Sequence, residues 1–368
     1  MSTELKERVK EIPPVREAAA EEYAAKLDAM VEKVNKQMAN HPDIHKLVGG
    51  NPYRTMYDNH RNHAMIMSNV LRLSEFRVLA AILPWAYRTY MGHGFHQDYF
   101  PQALKNWKKA VFDTMEAENA ADIAAVYDWI ISLHEELLEK SRQGPLYIAG
   151  QKNGEAVDQF IPLLLKGEHR RCLALAKERV KTTADLEAFY IKVLQPALYR
   201  IGEMWETREV SVAEEHLATA TVGRIMAALY SLVLGAEKNK GLAVVTAAAN
   251  EYHETGARMV SDFLEADGWD VAYLGSNVPI EEMVSFVKEN HPFILAVSVA
   301  MPFNLLPAKQ AIARIKDDPA FADLKVMVGG LAFNYIPDAP ELMGAEGFAA
   351  DARDARELAR KWWAERIS

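Results

Sequence analysis

The spacing of apolar positions changes twice along the chain. From Val15 to about Gln143 apolar residues recur at helical spacing among Ala, Glu, Leu, Met and Lys, and β-branched runs are scarce, which predicts amphipathic helices. Asn51-Pro52, Leu83-Pro84 and Phe100-Pro101 interrupt the pattern. Each predicts a helix boundary or kink, because proline brings no N–H to a helix interior. Gln143-Gly144-Pro145 predicts a break. Helical spacing returns from Ala156 to about Glu237 and ends at the polar linker Lys238-Asn239-Lys240-Gly241. Beyond it, short apolar runs (242–249, 269–275, 293–301, 324–330 and 347–350) alternate with helical stretches (255–266, 280–289, 306–316, about 337–343, and 352–367). Strand alternating with helix predicts a parallel sheet covered on both faces, here a five-stranded, flavodoxin-like doubly wound domain. The expected organisation is an all-helical domain over 1–150, a helical cap over 151–240 and a Rossmann-like domain over 241–368.

Composition narrows the function classes. The chain has 368 residues, 50% of them hydrophobic and 25% charged, with no enrichment in glycine or proline, so a large core is feasible. A net charge of −9 supplies no basic surface for nucleic acid, and no helix-turn-helix stands out. Cys172 is the only cysteine, which excludes an intrachain disulfide and a zinc-thiolate cluster. The N-terminal segment lacks an apolar signal core, and no run reaches the ~20 apolar residues of a membrane span. The expectation is a cytoplasmic protein without a membrane partner.

In a doubly wound sheet, ligands bind beyond the carboxyl ends of the strands. The loop after the first strand reads Asn250-Glu251-Tyr252-His253-Glu254-Thr255-Gly256. A loop histidine alone is ordinarily a solvated polar residue. This one resembles the Asp-x-His-x-x-Gly signature of cobalamin-binding proteins: methionine synthases, mutases, corrinoid methyltransferase subunits and cobalamin photoreceptors. The resemblance implies that His253 is the lower axial cobalt ligand and that Gly256 admits the dimethylbenzimidazole tail. Glu251 replaces the usual aspartate. A carboxylate there holds the imidazole N–H and raises ligand basicity, here from one methylene further out. Residues 268–279, Ser298 and the pair Gly329-Gly330 also match that family, the serine lying near the tail and the glycines leaving room for it; residues 344–355 resemble its closing segment.

The helical stretch before this domain resembles the four-helix cap of methyl-transferring corrinoid proteins and of CarH-type photoreceptors. Trp205, nine residues, then Glu215-His216 resembles the signature of the light-sensing group. That resemblance implies an adenosyl pocket with Trp205 as its flat wall, Val212 packed beside it, Glu215 accepting from ribose hydroxyls and His216 as a further polar contact. On spacing alone these residues are an amphipathic turn with surface charges. Glu206 stands where CarH-type repressors carry a second cobalt-ligating histidine.

The N-terminal region resembles helical, globin-like sensor modules. Its aromatic stretch over 87–113 holds His93 and His96, which could contact a planar pigment, or could be surface histidines beside a packed core. All regions together resemble the photocobilins, which pair cobalamin with a bilin; with no cysteine in this region, biliverdin would bind non-covalently. The leading expectation is therefore a light sensor, not an enzyme, binding adenosylcobalamin and biliverdin and signalling by Co–C photolysis through a homo-oligomer or an effector protein. The alternative is a corrinoid methyl-carrier subunit of a methyltransferase system. A haem or gas sensor is a third reading. A mutase is disfavoured, since no barrel-sized region exists.

Overall fold

The computed structural model describes residues 3–142, 154–335 and 339–367. The predicted break at Gln143-Gly144-Pro145 and the predicted start of a helix near Pro337 lie outside the described residues. The chain divides into two compact units, one made of residues 1–150 with 206–209, the other of residues 151–205 with 210–368.

The first unit is helical throughout its described part. Its longer helices are Leu27–Ala39, Tyr53–Leu73, Phe76–Gly92, Tyr99–Phe112 and Ala117–Ser132. Tyr53–Leu73 begins directly after Asn51-Pro52, and Pro101 falls in the first turn of Tyr99–Phe112, where a missing N–H costs nothing. Pro84 is different, because the Phe76–Gly92 helix runs through it. Buried Val78, Leu79, Ile82, Leu83 and Tyr87 hold that helix in the core and outweigh the one lost hydrogen bond.

The inclusion of residues 206–209 has a physical basis. The Glu206 carboxylate accepts from Trp85 Nε1 at 2.8 Å and from Arg88 Nε at 2.9 Å, with both charged side chains mostly buried. Arg208, at a left-handed φ of 64°, donates to the His93 carbonyl at 3.4 Å. A side chain at position 92 would approach the Glu206 carbonyl to 2.4 Å, so Gly92 is needed for this fit.

The second unit begins with the helices Glu155–Leu165 and His169–Arg179. A long rod follows, built from Thr183–Phe189, a π-helical turn Tyr190–Leu194 and Gln195–Glu206, its last residue counted with the other unit. The helix Val212–Leu229 completes this part. Phe160, Leu164, Phe189, Leu194, Val222 and Met226 form its core. Five strands come next: β1 Leu242–Ala247, β2 Asp270–Gly275, β3 Ile294–Ser298, β4 Lys325–Gly329 and β5 Gly347–Ala349. All pairings are parallel, in the order β2-β1-β3-β4-β5, the doubly wound Rossmann-like arrangement. Ala243, Val244, Val245 and Ala247 are all buried, as a strand covered on both faces requires. Among the described residues no helix is long and apolar enough to cross a membrane.

Candidate functional site

The strand order reverses between β1 and β3, and the loop leaving β1 carries the predicted histidine. Asn250 turns this loop at a left-handed φ of 64°, a conformation asparagine tolerates. Glu251 becomes fully buried, whereas the His253 side chain stays 60% exposed. One Glu251 oxygen, Oε1, accepts from His253 Nδ1 at 2.6 Å and from the His253 backbone N–H at 3.0 Å. The other, Oε2, accepts from the Ala300 N–H at 2.9 Å, the Met301 N–H at 2.8 Å and Asn304 Nδ2 at 3.0 Å. Asn304, 1% exposed, also donates to the Asn250 carbonyl and so ties the post-β3 loop to the post-β1 loop.

This cage decides the electrostatics. Burial would raise the Glu251 pKa, but the hydrogen bonds from His253, the Met301 N–H and Asn304 outweigh it and hold the carboxyl below its ordinary value. The hydrogen bond to Glu251 raises the His253 pKa against desolvation, and the Glu251 and Glu215 carboxylates add to the rise. With Nδ1 committed to Glu251, Nε2 is the ring nitrogen left for a ligand. Among the described residues no group of three or more His, Cys, Asp or Glu is arranged around a bare metal ion. A single oriented imidazole suits a metal that brings its own equatorial nitrogens, as cobalt does in a corrin.

Beside this loop lies a cleft open to solvent, lined by Gly256, Ser298, Gly329 and Gly330 together with apolar residues and the polar Gln195, Tyr199 and Asp351. A Cβ at Gly256 would meet only Ser298 Oγ, at 4.0 Å, so the space before Gly256 is left free by the protein itself. Gly329 and Gly330 have a further reason to be glycine. A Cβ there would come within 2.6 Å of the Ala349 carbonyl oxygen or 2.4 Å of the Val299 carbonyl oxygen, and Gly330 has φ 105°. They are required by close backbone packing as well as bordering the cleft. The residues present therefore fit a corrinoid with a nucleotide tail.

The predicted upper-face residues sit on two helices. Trp205 is half-buried near the end of Gln195–Glu206. Val212 and Glu215 lie in the first turn of Val212–Leu229, where Ser211 and Glu214 form a reciprocal capping box, and His216 lies directly after it. Val212 is exposed, and Glu215 is bound to its neighbours, accepting from Thr219 Oγ1 at 2.9 Å and pairing with His216 Nδ1 at 2.5 Å. Glu206, at the second-histidine position of the repressors, is committed to Trp85 and Arg88.

The expected pigment contacts lie in the first unit. His93 and His96 lie in the turn between Phe76–Gly92 and Tyr99–Phe112, and the His96 ring accepts from the Asp98 N–H of its own turn at 3.2 Å. The aromatics beside them pack on one another: Tyr87 stacks on Phe100 at 3.7 Å, and Phe95 meets Tyr99 edge-on at 4.8 Å. The interior histidines are His60 and His63, which the sequence reading missed. His60 bonds Asn35 Oδ1 at 2.6 Å and the Tyr99 hydroxyl at 2.9 Å, and His63 bonds the Tyr127 hydroxyl at 3.2 Å. Burial lowers their pKa values to about 3 and about 4, so both are neutral partners in a packed core.

Comparisons with known proteins bear on the second unit. Residues 241–359 and residues 156–230 each match a family model described as a B12 binding domain. Dimethylamine corrinoid protein 3 of Methanosarcina acetivorans is 25% identical over 187 residues, half of this chain and 87% of that protein. Monomethylamine corrinoid protein 1 of the same organism is 24% identical over 215 residues, 56% of this chain and 97% of that protein. The solved monomethylamine corrinoid protein of Methanosarcina barkeri superposes with a TM-score of 0.51 at 22% identity, covering 57% of this chain and 99% of that one, which supports the same fold. These relatives are methylamine corrinoid proteins. They overturn the expectation of a light sensor that signals by adenosylcobalamin photolysis and carries biliverdin.

Proposed function

We propose that this chain, a cobalamin-binding protein, is a corrinoid methyl carrier, a subunit that accepts a methyl group and presents it to separate methyltransferase partners. The observation that carries the reading is the set of methylamine corrinoid relatives whose lengths the chain spans almost completely. The site chemistry supports it. His253 would supply the lower axial nitrogen, with Glu251 fixing its tautomer and Ala300, Met301 and Asn304 fixing Glu251. Gly256 and Ser298 would receive the nucleotide tail. The bound corrinoid supplies a cobalt centre that takes up and releases a methyl group. Val212 and Trp205 would cover the opposite side and limit the entry of water; in a methyl carrier they need enclose only a small group. The chain itself contributes binding, orientation and exclusion of solvent, and the chemical steps on donor and acceptor belong to its partners.

The test loads the protein with cobalamin, reduces it and supplies iodomethane. Expected is the methylcobalamin absorption spectrum in stoichiometric yield, with the methyl label staying with the protein through gel filtration. A loaded protein that takes up no label, or loses it at once to the small-molecule fraction, overturns the reading.

A further inference from the structure

The cleft beside Gly256 is walled by the sheet, by the helix that follows His253, by Asp351 and the start of the last helix, and by the helical rod. The sheet side is apolar or small, with Val245, Ala296, Met327 and Ala349 among its residues. The helical rod, which precedes the sheet, contributes Ile191, Gln195 and Tyr199, spaced by four. In a uniform α-helix each step of four overshoots a full turn by about 40°, so Tyr199 would swing about 80° from Ile191. The rod counters this drift with its π-turn Tyr190–Leu194, closed by the Gln195 N–H on the Tyr190 carbonyl. The wider turn takes back rotation and helps bring the three side chains to one face. Pro196 follows immediately and lacks the N–H that the α-helical register would have aimed at the Lys192 carbonyl. From the same turn, Tyr190 donates to buried Asp262 at 2.9 Å and pins the rod to the helix that follows His253.

Within the cleft Gln195 Nε2 donates to the Tyr199 hydroxyl at 3.1 Å. An amide and a phenol side by side offer both donors and acceptors, in a space whose other walls are hydrocarbon and glycine apart from Ser298 and Asp351. We infer that Gln195 and Tyr199 are specificity-determining residues that recognise the polar atoms of the corrinoid's nucleotide tail, while the small apolar wall receives its flat base. The inference rests on the corrinoid reading of the site and goes beyond it, because it assigns tail recognition to the helical rod as well as to the sheet. The same rod carries Trp205 near its end.

The test compares binding of cobalamin and of cobinamide, which has no nucleotide tail, by absorption titration of the full chain. The proteins are wild type, Gln195→Ala, Tyr199→Phe and Gln195→Glu. Wild type is expected to prefer cobalamin. Gln195→Ala and Tyr199→Phe should each reduce that preference by about fivefold to tenfold, the loss of one hydrogen bond, with cobinamide affinity unchanged. Gln195→Glu should reduce it further by placing a carboxylate near the tail phosphate. Variants that keep the wild-type preference, or that lose affinity for both corrinoids equally, overturn the inference and leave the corrinoid reading intact. Wild type binding neither corrinoid overturns that reading as well.

Discussion

Replacing Glu251 by glutamine keeps side-chain length and nearly its volume, and removes a charge and one acceptor oxygen. The two carboxylate oxygens serve five donors, two from His253 and three from the post-β3 loop. Glutamine has one acceptor oxygen, and its NH₂ must face one of these two groups. The less damaging orientation turns the oxygen to Ala300, Met301 and Asn304. The His253 ring can then change tautomer and accept through Nδ1, but the His253 backbone N–H is stranded. One stranded, part-buried donor costs about 1–3 kcal/mol, and losing charge assistance on the remaining bonds costs about 1–2 kcal/mol more. At about 2–4 °C per kcal/mol for a unit of this size, the cofactor-free protein should melt roughly 10 °C lower by circular dichroism. The tautomer change also turns Nδ1–H into Nε2–H, so a histidine-ligated absorption spectrum with cobalamin should weaken or vanish. A variant that melts within about 2 °C of wild type and keeps the histidine-ligated spectrum would refute the argument that the carboxylate cage holds the ligand.

Four further outcomes are expected. His253→Ala should lose the histidine-ligated spectrum, and its retention would remove His253 as the axial ligand. Gly256→Leu should leave the melting temperature of the cofactor-free protein nearly unchanged, because only Ser298 Oγ lies near its Cβ, yet abolish cobalamin binding in titration. Gly330→Ala should instead destabilise the fold by about 2 kcal/mol or more in urea unfolding, since φ is 105° and the Val299 carbonyl blocks the Cβ. Asp262, whose pKa is raised from 3.8 to about 6 chiefly by burial, binds its proton more tightly in the folded state. Its ionised form therefore opposes folding above the folded pKa, by on the order of 3 kcal/mol, and the penalty fades as pH falls towards the unfolded value. Asp262→Asn should be more stable than wild type near neutral pH, with the difference disappearing by about pH 4; a difference that does not vary with pH would contradict the assignment.

How much of this was legible in the chain differs from element to element. The stretches 255–266 and 352–367 are helices with those bounds, because their apolar positions keep a single period between clear breakers. At Pro84, where a boundary or a kink is expected, the helix does not end, since a local rule about a missing N–H says nothing about the apolar face that holds the helix in place. Glu251 and His253 were legible as neighbours in one loop. Asn304 was not, because it reaches Glu251 across 53 residues and reads locally as a polar residue ahead of a helix. His93 and His96 drew attention through the aromatics around them, whereas His60 and His63 carried the better signal, a spacing of three on a helix whose Met56, Ala64 and Met67 are buried. The Trp-x9-Glu-His match rested on three common residue types, and the pairing of Glu215 with His216 could not be seen from their spacing.

Residues 206–209 break the usual equation of a domain with a stretch of chain. The first unit owns them, so its boundary with the second crosses the backbone after residues 150, 205 and 209 rather than once. A truncation at 150 would delete Trp85 and Arg88 but leave behind their carboxylate, Glu206, which is mostly buried in the intact protein. Exchange of the N-terminal helices by recombination would meet the same obstacle, because the incoming segment would have to fit a loop encoded more than fifty residues downstream. The unit is therefore poorly suited to modular shuffling. Its ancestry should follow that of residues 206–209, and the two segments should be gained, lost and varied together.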